Sequence, residues 1–546
     1  MASELTIHLS DADPISGEAL RILKRVLKDR GVASVEAPAA SAQLLLDVAP
    51  GPGVQGYRIE DAGRAIRIVG HDPRGLLYGV GRFLHTSSFS DAGFLPGTWR
   101  GTTRPDCSFR GLYTAHNFHN WYREAPVADL ERYVEDLALW GLNALVVPCC
   151  TNPHSPASVL YESMIPKQVQ WLKSARKLGI RVGLLSTSVI DRVPDPAYAA
   201  VPVPDANPPR RGNIGDRVCL THPEGIRVMR EHLDRVMAMY EGVGLDFVTA
   251  FPYDEGGCGC SGCYPWGAKG YVRFCKMFGE LARARYSGCE LIAGTWCFDV
   301  REEPDGEFDG FDAAVRAEPG WCSRVMTDAH EDFPAWPLQH GSPGGLPMIN
   351  FAEISMWGRW PWGGSGANPF PRRLERIWKQ SRHLMDGGLP YSEGRFEDIN
   401  KVTCLRLFWD KEAKADAIAR EYAVAEFGPA AAGAVSEAIR LLEENYPVNP
   451  PDAARAGQAL KLLESVERCM PASARIDWRW RLLLMRAIID VETAAQPNVV
   501  TVRRNAAYEE LIDINCAYVA LCAVCPPAES AFARGQLRRP GTLATP

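Results

Sequence analysis

The sequence predicts an α/β protein centred on a closed (β/α)8 barrel, a TIM barrel, with a small N-terminal α/β unit and a C-terminal helical unit. Three observations carry this. From Phe109 onward the chain alternates short apolar runs with amphipathic helical runs. The apolar runs are nearly continuous, which suits parallel strands covered on both faces. Eight of them fall within about 290 residues, the usual span of such a barrel.

The elements follow in order. Residues 1–105 form the first unit: an extended ELTIHLS, a helical ISGEALRILKRVLKDRG, strands AQLLLDV and RAIRIVG, and a helix DPRGLLYGVGRFLHT beginning at Asp72-Pro73. The order is β-α-β-β-α, and the unit carries no catalytic constellation, so it reads as a docking or scaffold element. The barrel occupies 106–409, with strands expected at 109–116, 143–149, 181–187, 245–255, 290–299, 322–328, 346–354 and 388–394. A helical run ending in HLMDGG leads into the eighth strand. Residues 410–546 keep a helical period, as in EAKADAIAREYAVAEFG and RIDWRWRLLLMRAIIDVETAA, and end in a Pro/Ala-rich tail.

Composition sets limits on function. Apolar residues make up 46% and charged residues 23%, ordinary for a globular protein. A net charge of -6 gives no reason to expect a nucleic-acid or anionic-membrane partner. The N-terminal MASELTIHLS lacks a basic segment followed by an apolar one, and no apolar run approaches a membrane span. The 16 cysteines are scattered in a chain too long to need a disulfide scaffold. A cytoplasmic location with mostly free thiols is the expectation; homo-oligomerisation is left open.

Barrel enzymes carry their chemistry at the C-terminal ends of the strands. There the sequence places His116 and Asn117 after the first strand, Tyr253, Asp254 and Glu255 after the fourth, and Trp296 after the fifth. Asp328 follows the sixth, Glu353 and Trp357 the seventh, and Glu393 the eighth. Carboxylates with indole platforms suit glycoside cleavage: one acid protonates the leaving oxygen and a second group serves the anomeric centre. The sharpest feature is Asp254-Glu255, followed by Gly256-Gly257. Adjacent carboxyl groups push their pKa values apart, so one can keep a proton near neutral pH.

A fourth-strand Asp-Glu pair resembles the dyad of family 20 β-hexosaminidases. The segment GYRIEDAGRAIRIVGHDPRGLLYGVGRFL resembles the unit that precedes the barrel in those enzymes and in family 67 α-glucuronidases. The segment YSEGRFEDINKVTCLRLFWD is similar to poorly characterised bacterial proteins with a family-20-like N-terminal domain. The family 20 resemblance implies an exo-acting, retaining, substrate-assisted glycosidase. Glu255 would be its general acid, and Asp254 would orient the substrate acetamido group. His116, Asn117, Tyr253, Trp296, Asp328, Glu353, Trp357 and Glu393 are then the expected substrate contacts, on a small glycoside or oligosaccharide. The pattern departs from family 20 before the dyad, where Phe251-Pro252-Tyr253 replace His-x-Gly-Gly. Three alternatives stay open: an inverting, α-glucuronidase-like enzyme with Glu353 or Glu393 as base, a carbohydrate-binding protein without catalysis, and a zinc-dependent hydrolase.

A second feature is Cys258-Gly-Cys260-Ser-Gly-Cys263. Three thiols within six residues suit a thiolate-metal knuckle, and a structural zinc takes four such ligands. Cys219 is the first choice for the fourth, with His222 and Cys297 as alternatives. The expectation is a structural zinc, with no cofactor needed for catalysis.

Overall fold

A computed structural model describes residues 4–90, 93–116, 120–149, 158–190, 194–202, 217–252, 257–299, 305–329, 332–355, 368–448 and 450–514. The first hundred residues build a six-stranded sheet. Its strands are β1 (Leu5–Leu9), β2 (Ser34–Glu36), β3 (Leu44–Val48), β4 (Tyr57–Ala62), β5 (Ala65–Gly70) and a later β8 (Gly101–Thr103). They lie in the order β2-β1-β3-β5-β4-β8. A small hairpin, β6 (Ser88–Ser90) with β7 (Gly93–Leu95), precedes β8. The helices Pro14–Asp29 and Pro73–Thr86 each begin with an Asp cap and a proline, as the sequence suggested for the second of them. The strand Tyr57–Ala62 was not among those expected. It pairs antiparallel with β5 across a tight turn.

The barrel is closed. Its strands are β9 (Phe109–Thr114), β10 (Ala144–Pro148), β11 (Arg181–Ser186), β12 (Phe247–Ala250), β13 (Glu290–Gly294), β14 (Arg324–Ala329), β15 (Met348–Ala352) and β16 (Met385–Gly388). Each pairs parallel with the next, and β9 pairs with both β10 and β16. All eight expected strands are present in order, but the eighth is displaced. It begins at Met385, inside the run read as helix, because the helix stops at Ser381. After Leu389-Pro390 the line resumes as β17 (Tyr391–Ser392), also paired with β9. The fourth strand ends at Ala250 and the fifth at Gly294, both earlier than expected.

Alternation along the strands sorts the side chains. Phe109, Tyr113, Ala115, Ala144, Val146, Leu185, Phe247, Ile292, Met326, Ile349, Phe351 and Leu389 fill the barrel interior. Residues of opposite parity, such as Leu112, Leu145, Leu184, Val248, Leu291 and Val325, join the larger core beneath the helices. At the N-terminal end of the barrel, the guanidiniums of Arg181 and Arg324 lie over Phe109. Glu290 pairs with Arg181 at 2.9 Å, and Asp386 with Arg324 at 2.6 Å. These ion pairs cap the N-terminal end of the barrel.

The N-terminal sheet joins the barrel through a buried cation. The fully buried Arg110 donates Nε–H to the Gly141 carbonyl at 2.8 Å, one amino group to the Cys107 carbonyl at 2.9 Å, and the other to Gln55 Oε1 at 2.5 Å. Its guanidinium also lies 5.1 Å from the ring centroid of Trp409, at the end of the helix Asp398–Trp409. Beyond that helix the described chain continues as helices, among them Ala415–Phe427, Ala432–Asn445, Ala453–Val466 and Trp478–Ala495.

Gly387 shows why the eighth strand escapes an apolar pattern. Its φ is +118°, and a Cβ there would sit 1.6 Å from the Phe109 carbonyl oxygen. Gly387→Ala is expected to lower stability by about 3 kcal/mol or more, read by urea denaturation. A change below about 1 kcal/mol would contradict this account of barrel closure.

Candidate active-site mouth and thiolate cluster

The inward parity of each strand runs on to its C-terminal end. Phe251, Trp296 and Tyr391 pack onto the interior cluster from above. With Tyr113 and Phe351 they make an aromatic floor. Tyr113 stacks on Tyr391 with centroids 5.4 Å apart, Phe351 meets Trp296 edge-on at 5.7 Å, and Phe251 lies 5.5 Å from Trp296. Such a cluster offers an apolar aromatic surface of the kind that packs against a sugar ring face. Of its five rings, Trp296 alone was an expected substrate contact; the strand parity of Tyr113, Phe251 and Phe351 is the signal that identifies the others.

Three expected carboxylates share this parity. Asp328 lies at the end of β14, two residues beyond Met326. Glu353 follows Phe351 by two and is buried. Its Oε1 accepts hydrogen bonds from the Ser355 amide at 2.6 Å and the Ser355 hydroxyl at 2.5 Å. Glu393 is fully buried and accepts a 2.8 Å hydrogen bond from the Tyr391 hydroxyl. Glu353 also forms a backbone bridge with Tyr391. Burial pushes the Tyr391 phenol well above its ordinary pKa, and the Glu393 and Glu353 charges act in the same direction. The phenol therefore stays a donor, held between the ends of the seventh and eighth strands.

Glu393 is positioned from behind. Its amide donates to Glu397 Oε1 at 3.1 Å. Glu397 Oε2 pairs with Lys401 at 3.2 Å, and the Lys401 ammonium also donates to the Gly394 carbonyl. Both members of this pair are buried; desolvation raises the Glu397 pKa and lowers that of Lys401, each against the pull of its partner. Next along the helix, Asp398 accepts from Tyr133 at 2.7 Å, Tyr422 at 2.8 Å and Arg479 at 2.9 Å. The C-terminal helices thus brace the loop that carries Glu393.

His116 lies just past β9, where its amide turns back to the Thr114 carbonyl, and is wholly buried, 5.6 Å from the Tyr122 ring and 5.3 Å from that of Trp171. Burial lowers its pKa to about 3, so the ring is neutral. It packs in the layer between barrel and helices rather than among the rings that line the mouth. Asn117, Tyr253, Asp254, Glu255 and Trp357 lie outside the described residues.

Beside the mouth, the four cysteines chosen from sequence converge. The sulfurs of Cys219, Cys258, Cys260 and Cys263 all lie within 4.8 Å of one another. The Cys219 and Cys260 sulfurs are 3.6 Å apart, and Thr221 Oγ1 lies 3.0 Å from Cys219 Sγ. The Val201 amide donates to Cys258 Sγ at 3.3 Å. A hydrogen bond from Cys263 pulls the Cys258 pKa down to about 5, while that same contact and burial raise Cys263. The cluster could hold a metal ion. Of the alternative fourth ligands, His222 instead caps the helix Pro223–Ala238, its Nδ1 accepting from the Glu224 amide, and Cys297 is not one of the four.

No protein-family model matches the chain, and no curated protein matches it in sequence. Solved structures do share its fold. A family 115 4-O-methyl-α-glucuronidase with specificity for decorated arabinogalactans aligns at TM-score 0.59 and 11% identity, over 94% of this chain and 76% of its own. A family 89 glycoside hydrolase from Clostridium perfringens, in complex with GlcNAc-α-1,4-galactose, aligns at TM-score 0.60 and 10% identity, over 92% and 63%. A family 20 β-N-acetylglucosaminidase aligns at TM-score 0.51 and 12% identity, over 74% and 87%. At these identities the likeness establishes the fold: the chain has the barrel architecture found in several glycoside hydrolase families.

Lys401→Met leaves the buried Glu397 without its ammonium and is expected to cost about 3–5 kcal/mol in denaturant unfolding. Adding Glu397→Gln should recover most of that loss. A single variant as stable as the parent would show that the pair does not brace the eighth-strand loop.

Proposed function

We propose that the protein is a glycoside hydrolase, exo-acting on a small glycoside or oligosaccharide. The observation that carries this reading is the placement of the carboxylates Glu353 and Glu393 on either side of Tyr391, Glu393 accepting from its hydroxyl and Glu353 bridged to its backbone, beside an aromatic cluster at the C-terminal end of the barrel. The barrel architecture shared with family 115, family 89 and family 20 glycoside hydrolases supports it.

In the leading form the reaction is retaining and substrate-assisted. Glu255 donates its proton to the glycosidic oxygen as the C1–O bond breaks. The carbonyl oxygen of the substrate's 2-acetamido group closes on C1, held by Asp254. Water then attacks C1, the bond from C1 to the acetamido oxygen breaks to restore the acetamide, and the water's proton returns to the Glu255 carboxylate. Trp296, Asp328, Glu353 and Glu393 bind the sugar face and hydroxyls, with Asn117, Tyr253 and Trp357 contributing from the neighbouring loops. No metal takes part in this chemistry; the four-thiolate set is assigned to a structural zinc.

A second reading has its own support. Substrate assistance needs no further carboxylate at the anomeric carbon, yet two stand at the mouth. An inverting enzyme would keep Glu255 as acid and use Glu353 or Glu393 to activate water, with the acid and base about 6.5–9.5 Å apart. The 4-O-methyl-α-glucuronidase neighbour favours including uronic substrates in the search.

The test is a panel of chromogenic glycosides spanning 2-acetamido and uronic sugars, with the first product's anomer followed by NMR. Retention confined to acetamido sugars supports the leading form, and inversion supports the second. Glu255→Gln is expected to lower kcat by about 10²–10⁴-fold. Full activity in that variant would remove Glu255 as the acid. Sugar binding without any cleavage would make the protein a carbohydrate-binding module.

A further inference from the structure

The thiolate cluster does more than close a loop on itself. Cys219 sits just before the helix Pro223–Ala238, whereas Cys258, Cys260 and Cys263 follow the fourth barrel strand. The segment after the third strand joins them. Its Tyr198 carbonyl accepts from the Cys219 amide at 2.9 Å, and its Val201 carbonyl accepts from the Gly259 amide at 2.8 Å. The Val201 amide meanwhile donates to Cys258 Sγ. One cluster therefore stitches the loops after the third and fourth strands together.

The knuckle is also tied to the end of the fourth strand. Trp266, three residues beyond Cys263, is fully buried and donates its indole N–H to the Pro252 carbonyl at 3.2 Å. Gly257 lies against the same indole so closely that a Cβ there would come within 2.1 Å of the ring. Gly270 approaches it similarly, at 2.3 Å. Tyr271 adds a 2.7 Å hydrogen bond to the Ala250 carbonyl. Pro252 and Gly257 are thus both fixed by one side chain, and Cys258 continues directly into the cluster. The ends of the short stretch between Pro252 and Gly257 are set by this block of structure.

The sulfur spacing fits an ion. Tetrahedral ligation at about 2.3 Å places sulfurs about 3.8 Å apart. The 3.6 Å separation of Cys219 and Cys260, and the 4.8 Å limit for the whole set, bracket that value. Four thiolates leave no open coordination position for water, and such a set selects a thiophilic divalent cation, zinc above all.

We infer that a zinc ion held by Cys219, Cys258, Cys260 and Cys263 is a positioning element for the fourth-strand loop, acting through Trp266 on Pro252 and Gly257. This rests on the reading of the mouth as the working end of the barrel, but its test does not need a substrate. Loss of the ion frees Cys258 from Cys219 and loosens the contacts of Trp266 with Pro252 and Gly257. The barrel itself keeps its ladder, since none of the eight strands contributes a ligand.

The experiment uses the full chain purified under reducing conditions. Metal analysis is expected to find about one zinc per chain. Replacement by cobalt should give the intense visible bands of tetrahedral thiolate ligation, and Cys260→Ser, at the most exposed of the four sites, should lower zinc affinity about 10- to 100-fold. Hydrogen exchange is then compared between zinc-loaded and chelator-stripped protein. Exchange should rise in 217–221 and 257–263 and stay unchanged in the eight barrel strands. A chain without metal, or one that takes iron in place of zinc, overturns the assignment. Unchanged exchange in 257–263, or protection lost throughout the barrel, overturns the positioning role. Once a cleavable glycoside is known, stripping should lower kcat about 10- to 100-fold at nearly constant KM. If no glycoside is cleaved, the metal and exchange results stand or fall by themselves.

Discussion

Closure of eight parallel strands into a ring is the constraint on which the other features depend. A closed sheet has an inside and an outside, and side chains alternate between them with period two. Phe109 and Tyr113 point inward, whereas His116, where the chain turns just past the strand, packs on Tyr122 and Trp171. Once Phe351 and Leu389 point inward, Glu353 and Glu393 share their side of the wall. The makeup of the mouth follows from register rather than from any local preference of the residues there.

Much of this was legible before the fold was known. Apolar strands separated by helical runs mark seven of the eight barrel strands to within a few residues. The eighth is hidden because Met385–Gly388 contains two glycines and an aspartate, chosen for close approach to β9 and for the salt bridge with Arg324. The N-terminal β4 is masked by its charged residues, which face solvent opposite β5. Residue type pointed to the acids, but it could not reveal that His116 packs against Tyr122 and Trp171. Cys219 was legible for a simpler reason: a four-ligand site with three close cysteines needs one more from a nearby loop.

The brace behind Glu393 was not legible. Glu397 and Lys401, four apart on a helix, read in sequence as an ordinary solvent-facing ion pair worth a few tenths of a kcal/mol. In the fold both are buried, because the helix Asp398–Trp409 is covered on the barrel side and by the C-terminal helices. Ionic groups in such a place cost desolvation energy that an apolar pair would avoid. What they provide is direction: hydrogen bonds at defined angles to the Glu393 amide and the Gly394 carbonyl.

The buried Arg110 has a bearing on how the chain can be divided. Its charge faces carbonyl oxygens from Cys107, Gly141 and the Gln55 side chain, and the ring of Trp409. Gln55 also accepts from Asn143, at the start of the second barrel strand. The leading sheet and the helix that closes the barrel therefore meet at one guanidinium, held by neutral oxygens and an aromatic face. A fragment cut at residue 106 would keep the cation and lose an acceptor that shields it, opening the barrel wall to water. In an energetic sense the N-terminal unit is part of the barrel's wall, and evolutionary exchange of that unit between proteins of this architecture would have to carry its partner for Arg110 along with it.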